Sequence, residues 1–350
     1  MPFVCVIFAL ENEFHFMLFY ERGNVMKSKT KYQLDFETVK KLFFSAKIEN
    51  ISAFSPLGLG MFNSVYEVMG DREYVLKISP KTDLPVMKYE NDMLKTELYW
   101  YDVISENTDI FVPEIYYSDF TRKYVDANWF IMEKIDGVTR NKLDLPQDEK
   151  LKKSVEIISK IHNMQGEKFG YVQNGLHNNW YEALRSMIVN LLSDADKFGK
   201  PSKNGKKLLS YCDNYKNILE KAPCTAVNYD LWDANLICKN TKNGTVFTLI
   251  DPERSFWGDP VFDFLCLEDF VQPIEKKEKS VNLHNILSNV KIEINDETKI
   301  RYAFAQGLMG LIQEVERYYR FTHFSQGWIL DTFSNKISYN SAFKVLENGK

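Results

Sequence analysis

Apolar positions recur along this chain in two rhythms, and the rhythm changes once. Residues 36–46, FETVKKLFFSA, put Val39, Leu42 and Phe43 on one face and predict a short amphipathic helix. Residues 55–80 predict a strand, a Gly-containing turn, a second strand, a Gly70-Asp71 hairpin turn and a third strand. KYENDMLKTELYWYDVISEN, residues 88–107, predicts a helix, and FVPEIYYSDF and YVDANWFIMEKIDG predict further strands. Gly137 marks the change, and after Pro146 the pattern is mainly helical. LKKSVEIISKIHNM aligns Leu151, Val155, Ile158 and Ile161 or His162. NWYEALRSMIVNLLSDADKFG aligns Trp180, Leu184, Ile188 and Leu191 and ends at Gly199 as a C-cap. A second β-rich piece around TVFTLIDPERS precedes more helix. The pattern therefore predicts an α+β chain of two lobes. A small antiparallel β lobe with one long helix covers 26–134, and a larger helical lobe covers 135–350, joined near Met132–Gly137.

Composition narrows the options. The chain has 350 residues, 45% hydrophobic and 26% charged, with a formal net charge of −4. That is enough apolar material for two packed lobes, and the charge shows no footprint for a nucleic-acid polymer. No apolar run approaches the roughly 20 residues of a membrane span. Cys5, Cys212, Cys224, Cys238 and Cys266 are scattered, odd in number and never paired as C-x-x-C. This favours reduced thiols and a cytoplasmic location. His15, His162, His177, His284 and His323 lack metal-ligand spacing and read as surface or core residues.

The N-terminus has its own oddity. MPFVCVIFAL is apolar but lacks the basic residues and the cleavage site of a signal peptide. Glu21-Arg22-Gly23 can be encoded by a purine-rich, ribosome-binding-type stretch just upstream of Met26. The expectation is that Met26 is the initiator and that residues 1–25 are a non-native or disordered extension. An intact mass of the native protein that includes them would end that idea.

Four pieces could carry chemistry. Gly58 and Gly60, in PLGLGMFNSVYEV, make a turn that lets backbone N–H groups approach phosphate oxygens. Lys77, in VLKIS, sits between apolar neighbours in a strand, so its ammonium needs a partner. Glu97 on the following helix is the expected one and Glu90 the reserve; such a pair clamps nucleotide phosphates in protein kinases. Asp230 and Asn235, in VNYDLWDANLICKN, match the D-x-x-x-x-N spacing of a kinase catalytic loop. Asp251, in LIDPERSFWGDPVFDF, ends an apolar strand, and its oxygen is a hard ligand suited to Mg²⁺.

Together GLGMFNSVYEV, VLKIS, FIMEKIDG, DLWDAN and IDPERSFWGDPVFDF resemble the aminoglycoside phosphotransferase family, which includes relatives of fructosamine, choline and homoserine kinases. The resemblance covers roughly residues 50–275 and is most specific from DLWDAN through GDPVFD. It implies a protein-kinase-like two-lobe fold. It implies transfer of the γ-phosphate of ATP or GTP to a hydroxyl of an aminoglycoside, amino sugar, amino alcohol or similar small molecule. It also implies Asp230 as catalytic base and Asn235 and Asp251 as Mg²⁺ ligands. Lys77 with Glu97 would be the phosphate clamp, Met132–Lys134 the adenine-contacting linker through backbone groups, and Asp263 the anchor of the catalytic loop.

Two positions depart from the family pattern. Asn228-Tyr229 stands where the family has His-Gly. The asparagine can still bond loop backbone groups, while the tyrosine adds bulk that could narrow substrate access. Asn63 stands at the third glycine of the phosphate loop. Every metal and phosphate residue of the template is present, which favours an active enzyme. The alternative is a nucleotide-binding pseudokinase that acts as a scaffold. A protein kinase is disfavoured because Gly258-Asp259-Pro260 follows Asp251 with no room for an activation loop. Asp233 reads as a loop-capping acid and Asp259 as a turn former. Tyr302, Phe304, Tyr318, Tyr319 and Phe321 read as helix-packing core. The acceptor is not legible: EDFVQPIEKKEKS, residues 268–280, is mixed in charge.

Overall fold

The computed structural model describes residues 28–57, 62–267, 290 and 292–348. The expected extension 1–25, the residues Gly58 and Gly60, and the whole 268–280 segment lie outside the described residues.

The first lobe is a five-stranded antiparallel sheet with a helix on each face. Helix α1 (Phe36–Ser45) starts at Asp35, whose carboxylate accepts from the backbone N–H of Thr38 at 2.7 Å. Strands β1 (Ala53–Pro56), β2 (Ser64–Met69), β3 (Glu73–Ile78), β4 (Ile115–Asp119) and β5 (Trp129–Glu133) lie in the order β1-β2-β3-β5-β4. Side-chain alternation divides β3 between two cores. Tyr74, Leu76 and Ile78 join Val39, Leu42 and Phe43 of α1. Val75 packs on the other face with Leu94 and Tyr101 of helix α2 (Met93–Asn107). Lys77 shares the parity of Val75, so the pleat sends it toward α2.

The helix expected over 88–107 is interrupted. Residues Lys88–Glu90 form a separate 3₁₀ turn, and Asp92 adopts a left-handed φ of 54° before α2 begins. The cause is Glu90. Its carboxylate accepts from the Met87 backbone at 2.9 Å and pairs with Arg320 at 2.6 Å, drawing the segment toward the second lobe.

The second lobe is mainly helical. It holds β6 (Val138–Thr139), α3 (Gln147–His162), α4 (Trp180–Asp196), α5 (Lys203–Asn214) and the short α6 (Lys216–Leu219). After these come β7 (Thr225–Val227), β8 (Leu236–Thr241), β9 (Gly244–Leu249) and β10 (Phe256–Gly258), then the long helices α7 (Asp296–Arg320) and α8 (Gln326–Asn348). The strands form a β7–β10 pair and a β6-β8-β9 sheet. Gly137 is required at the junction because a Cβ there would meet the Cys238 carbonyl oxygen at 2.6 Å. Gly199 has a φ of 63° and donates to the Asp196 carbonyl, closing the end of α4. Tyr302, Phe304, Tyr319 and Phe321 are buried, and Tyr318 packs partly buried against Trp328 and Phe198, as a helix-packing core requires.

Candidate active site

The catalytic-loop candidates lie between β7 and β8, and Asp251 lies just beyond β9. Register brings the two together: Leu236 pairs with Leu249, and the Ile250 N–H donates to the Asn235 carbonyl at 3.0 Å. Asn235 donates its side-chain amide to the Asp230 backbone carbonyl at 2.8 Å and to the Asp230 carboxylate at 3.1 Å. That leaves the amide oxygen of Asn235 as its remaining acceptor. Burial, reinforced by the nearby Asp251 charge and opposed by Arg254, pushes the Asp230 carboxyl up to about 6.

Lys77 joins the lobes. Its ammonium contacts Glu97 at 2.6 Å, Asp251 at 2.5 Å and Glu253 at 3.1 Å. The predicted Lys77–Glu97 pair forms, whereas the reserve partner Glu90 is engaged by Arg320. Burial opposes the lysine charge, but Asp251, Glu253 and Glu97 together raise its pKa well above the ordinary value. Burial pushes Glu97 up to about 7 against the pull of Lys77. Asp251 is held below the usual carboxylate range: burial works against its charge, and Lys77 overrides it. Tyr101 reinforces the arrangement by donating to Glu97 at 3.2 Å and accepting from the Asp251 N–H at 2.9 Å.

Glu97, Asp251 and Glu253 have oxygens within 4.8 Å of one another, a spacing compatible with a metal ion. The Lys77 ammonium sits among that trio and offsets one unit of its negative charge. The site expected for Mg²⁺ was Asp251 with Asn235, and its donors fit the ion: a carboxylate held ionised and an amide oxygen are hard ligands. Glu253 was missed by sequence reasoning. Its signal was present, an acid two positions after Asp251, but only the fold turns it onto Lys77.

The candidate catalytic loop is held from below. Asp263 accepts from the backbone N–H groups of Asn228 at 3.2 Å and Tyr229 at 2.7 Å, and it contacts His162 Nε2 at 2.9 Å. Asn228 accepts from the Asp230 N–H at 3.1 Å, supplying the expected loop bond. The Tyr229 side chain turns into the core. It is fully buried, meets Phe256 edge-on and Phe262 at a tilt, and donates its hydroxyl to the Ala305 carbonyl at 2.9 Å. The consequence of replacing glycine lies in the backbone instead: Tyr229 has a φ of 59°, in the left-handed region that glycine adopts freely. Asp233 is not a cap. Its carboxylate accepts from the buried Arg140 at 2.6 Å. Asp259 does shape its turn, accepting from the Val261 N–H, and also pairs with Arg301 at 3.0 Å.

The remaining nucleotide candidates that are described belong to the first lobe. Asn63 is buried and donates to Glu253 at 2.6 Å. Met132 lies in β5 opposite Val75. The Lys134 side chain is drawn to Glu67 and Glu73, away from any role of its own charge in the linker.

Residues 53–277 match the model of the phosphotransferase enzyme family, designated APH. The chain belongs to that family. It is therefore a phosphotransferase, with a small-molecule alcohol as acceptor class. The fold is shared with solved aminoglycoside phosphotransferases. A provisional member from Ralstonia eutropha JMP134 aligns with a TM-score of 0.60 at 12% identity, covering 90% of this chain and 99% of that one. A thermostable mutant of APH(4)-Ia aligns at 0.59 and 15% identity, covering 89% and 99%. ADP-bound APH(2'')-Ib aligns at 0.54 and 17% identity, covering 89% and 99%. A search of curated protein sequences found no match. Among the described residues, no helix is long and apolar enough to cross a membrane.

Proposed function

We propose that this phosphotransferase moves the γ-phosphate of ATP or GTP to a hydroxyl of an aminoglycoside, amino sugar or amino alcohol. The observation that carries the reading is the convergence of Asp230 and Asn235 with the Asp251–Lys77–Glu97 chain across the two lobes. The ADP of APH(2'')-Ib and the AMP-PNP and hygromycin B of APH(4)-Ia are ligands of those proteins. Carried to this chain, they support a nucleotide donor and an amino-sugar type of acceptor.

In this reading Lys77 holds donor phosphate oxygens, and Glu97 fixes the direction of its ammonium. The Asp230 carboxylate orients the acceptor hydroxyl and takes its proton, while the Asn235 amide fixes the carboxylate. Asp251 and the Asn235 oxygen would hold Mg²⁺, which when bound neutralises phosphate charge. The test is Asp230→Ala in an ATP- and GTP-consumption screen against sugars, amino alcohols and aminoglycosides. Nucleotide binding should persist while turnover falls by about 10²–10⁴-fold. Normal turnover would remove Asp230 as the base. Wild-type protein that binds nucleotide yet consumes none across the screen would favour the scaffold alternative.

A further inference from the structure

Residues 28–34 form a strap that touches both lobes. The Lys29 N–H donates to the Arg320 carbonyl at the end of α7 at 3.0 Å. The Thr30 hydroxyl donates to the Phe62 carbonyl at 2.9 Å, and the Tyr32 N–H donates to Ser64 Oγ at 2.7 Å. Tyr66 donates its hydroxyl to the Tyr32 carbonyl at 2.6 Å and accepts from the Leu34 N–H at 3.3 Å. These bonds align the strap with the start of β2.

The strap fixes Lys31 beside the candidate site. The Lys31 ammonium donates to the Asn63 carbonyl. The Asn63 side-chain amide donates to Glu253 Oε2, the same oxygen that accepts from Lys77. One Asn63–Glu253 unit therefore separates two ammonium groups. Lys31 makes no salt bridge to a carboxylate among the described residues, and the carbonyl bond uses one of its three donors. Burial, then Arg320 and Lys77, lower its pKa to about 8, with Glu253 and Asp251 opposing. The charge is partly desolvated and lacks an anionic partner of its own.

We propose that Lys31 is a second phosphate-binding cation of the nucleotide site, carried there by the strap. The inference rests on the nucleotide site proposed above. Lys77 meets the donor phosphates from the floor of the β lobe, and Lys31 meets them from the strap across Asn63. A polyphosphate supplies the anion that the ammonium lacks, whereas an uncharged nucleoside gains nothing from it.

The experiment measures equilibrium binding of MgATP and of adenosine to the full chain and to its Lys31→Met and Lys31→Arg variants. MgGTP with guanosine replaces them if that is the nucleotide bound by the wild type. Lys31→Met should weaken triphosphate binding about ten- to hundredfold, leave nucleoside binding unchanged, and be largely rescued in Lys31→Arg. Triphosphate affinity within about twofold of wild type overturns the role of Lys31. So does an equal loss for the nucleoside, which marks general damage to the cleft. Wild-type protein that binds no nucleotide removes the site itself and this inference with it.

Discussion

In the role proposed for Asp230, burial tunes the carboxyl for proton transfer and weakens the fold at the same time. Burial raises it to about 6, so it is ionised, and able to accept a proton, only above that pH. Turnover should fall tenfold per pH unit below about 6, and a rate profile flat down to pH 4 would refute the assignment. The stability consequence has the opposite sign. A carboxyl whose folded pKa is raised stabilises the fold below its unfolded value near 4, and that contribution is lost as pH rises through about 6. Asp230→Asn should therefore be inactive yet more stable than wild type at pH 7, by about 1–3 kcal/mol, with the gain gone near pH 4. Denaturant unfolding at the two pH values checks it. Tyr229 and Asp251 add backbone strain at the same place, with left-handed φ values of 59° and 58°.

At the scale of elements, the site depends on single side chains that tie one element to another. Lys77 links β3 to α2 through Glu97 and to the segment after β9 through Asp251 and Glu253. Lys77→Met leaves these acids without their counter-charge and should cost about 3–5 kcal/mol. Glu97→Gln, which keeps a hydrogen-bonding oxygen, should cost less, and thermal melts of the two variants compare them. Asp263 links the candidate catalytic loop to α3 through His162. Asp263→Asn should cost about 2–4 kcal/mol and lower kcat more than it raises the nucleotide KM, because the loop is displaced and the phosphate clamp is not. Steady-state kinetics separates the two effects. Local periodicity anticipated most of these elements. It failed at 88–92, where the pairing of Glu90 with Arg320, 230 positions away, overrides helical propensity.

For the whole molecule, the lobes meet through polar links around the candidate site. Asn63 reaches Glu253, Tyr101 reaches Asp251, Glu90 reaches Arg320, and the Leu249 N–H donates to the Phe111 carbonyl at 2.8 Å. A ligand that binds this closed arrangement and not the unfolded chain must stabilise the whole protein. MgATP or MgGTP at about 100 times its Kd should add about 2.7 kcal/mol, seen as a higher Tm, and EDTA should remove most of the gain. An unchanged Tm with either nucleotide would argue against a shared cleft. The sequence alone determined the two-lobe plan, because periods of two and 3.6 residues are local properties. It also singled out Lys77, Asp230, Asn235 and Asp251 as the candidates, because the chemistry proposed for them is tied to fixed spacings and strand ends. Tertiary structure decided which acid holds Lys77, that Glu253 joins it, that Tyr229 turns into the core, that Asp233 serves Arg140, and that Lys31 lies beside the cleft. Those outcomes depend on contacts between residues far apart in the chain, and no local pattern encodes them.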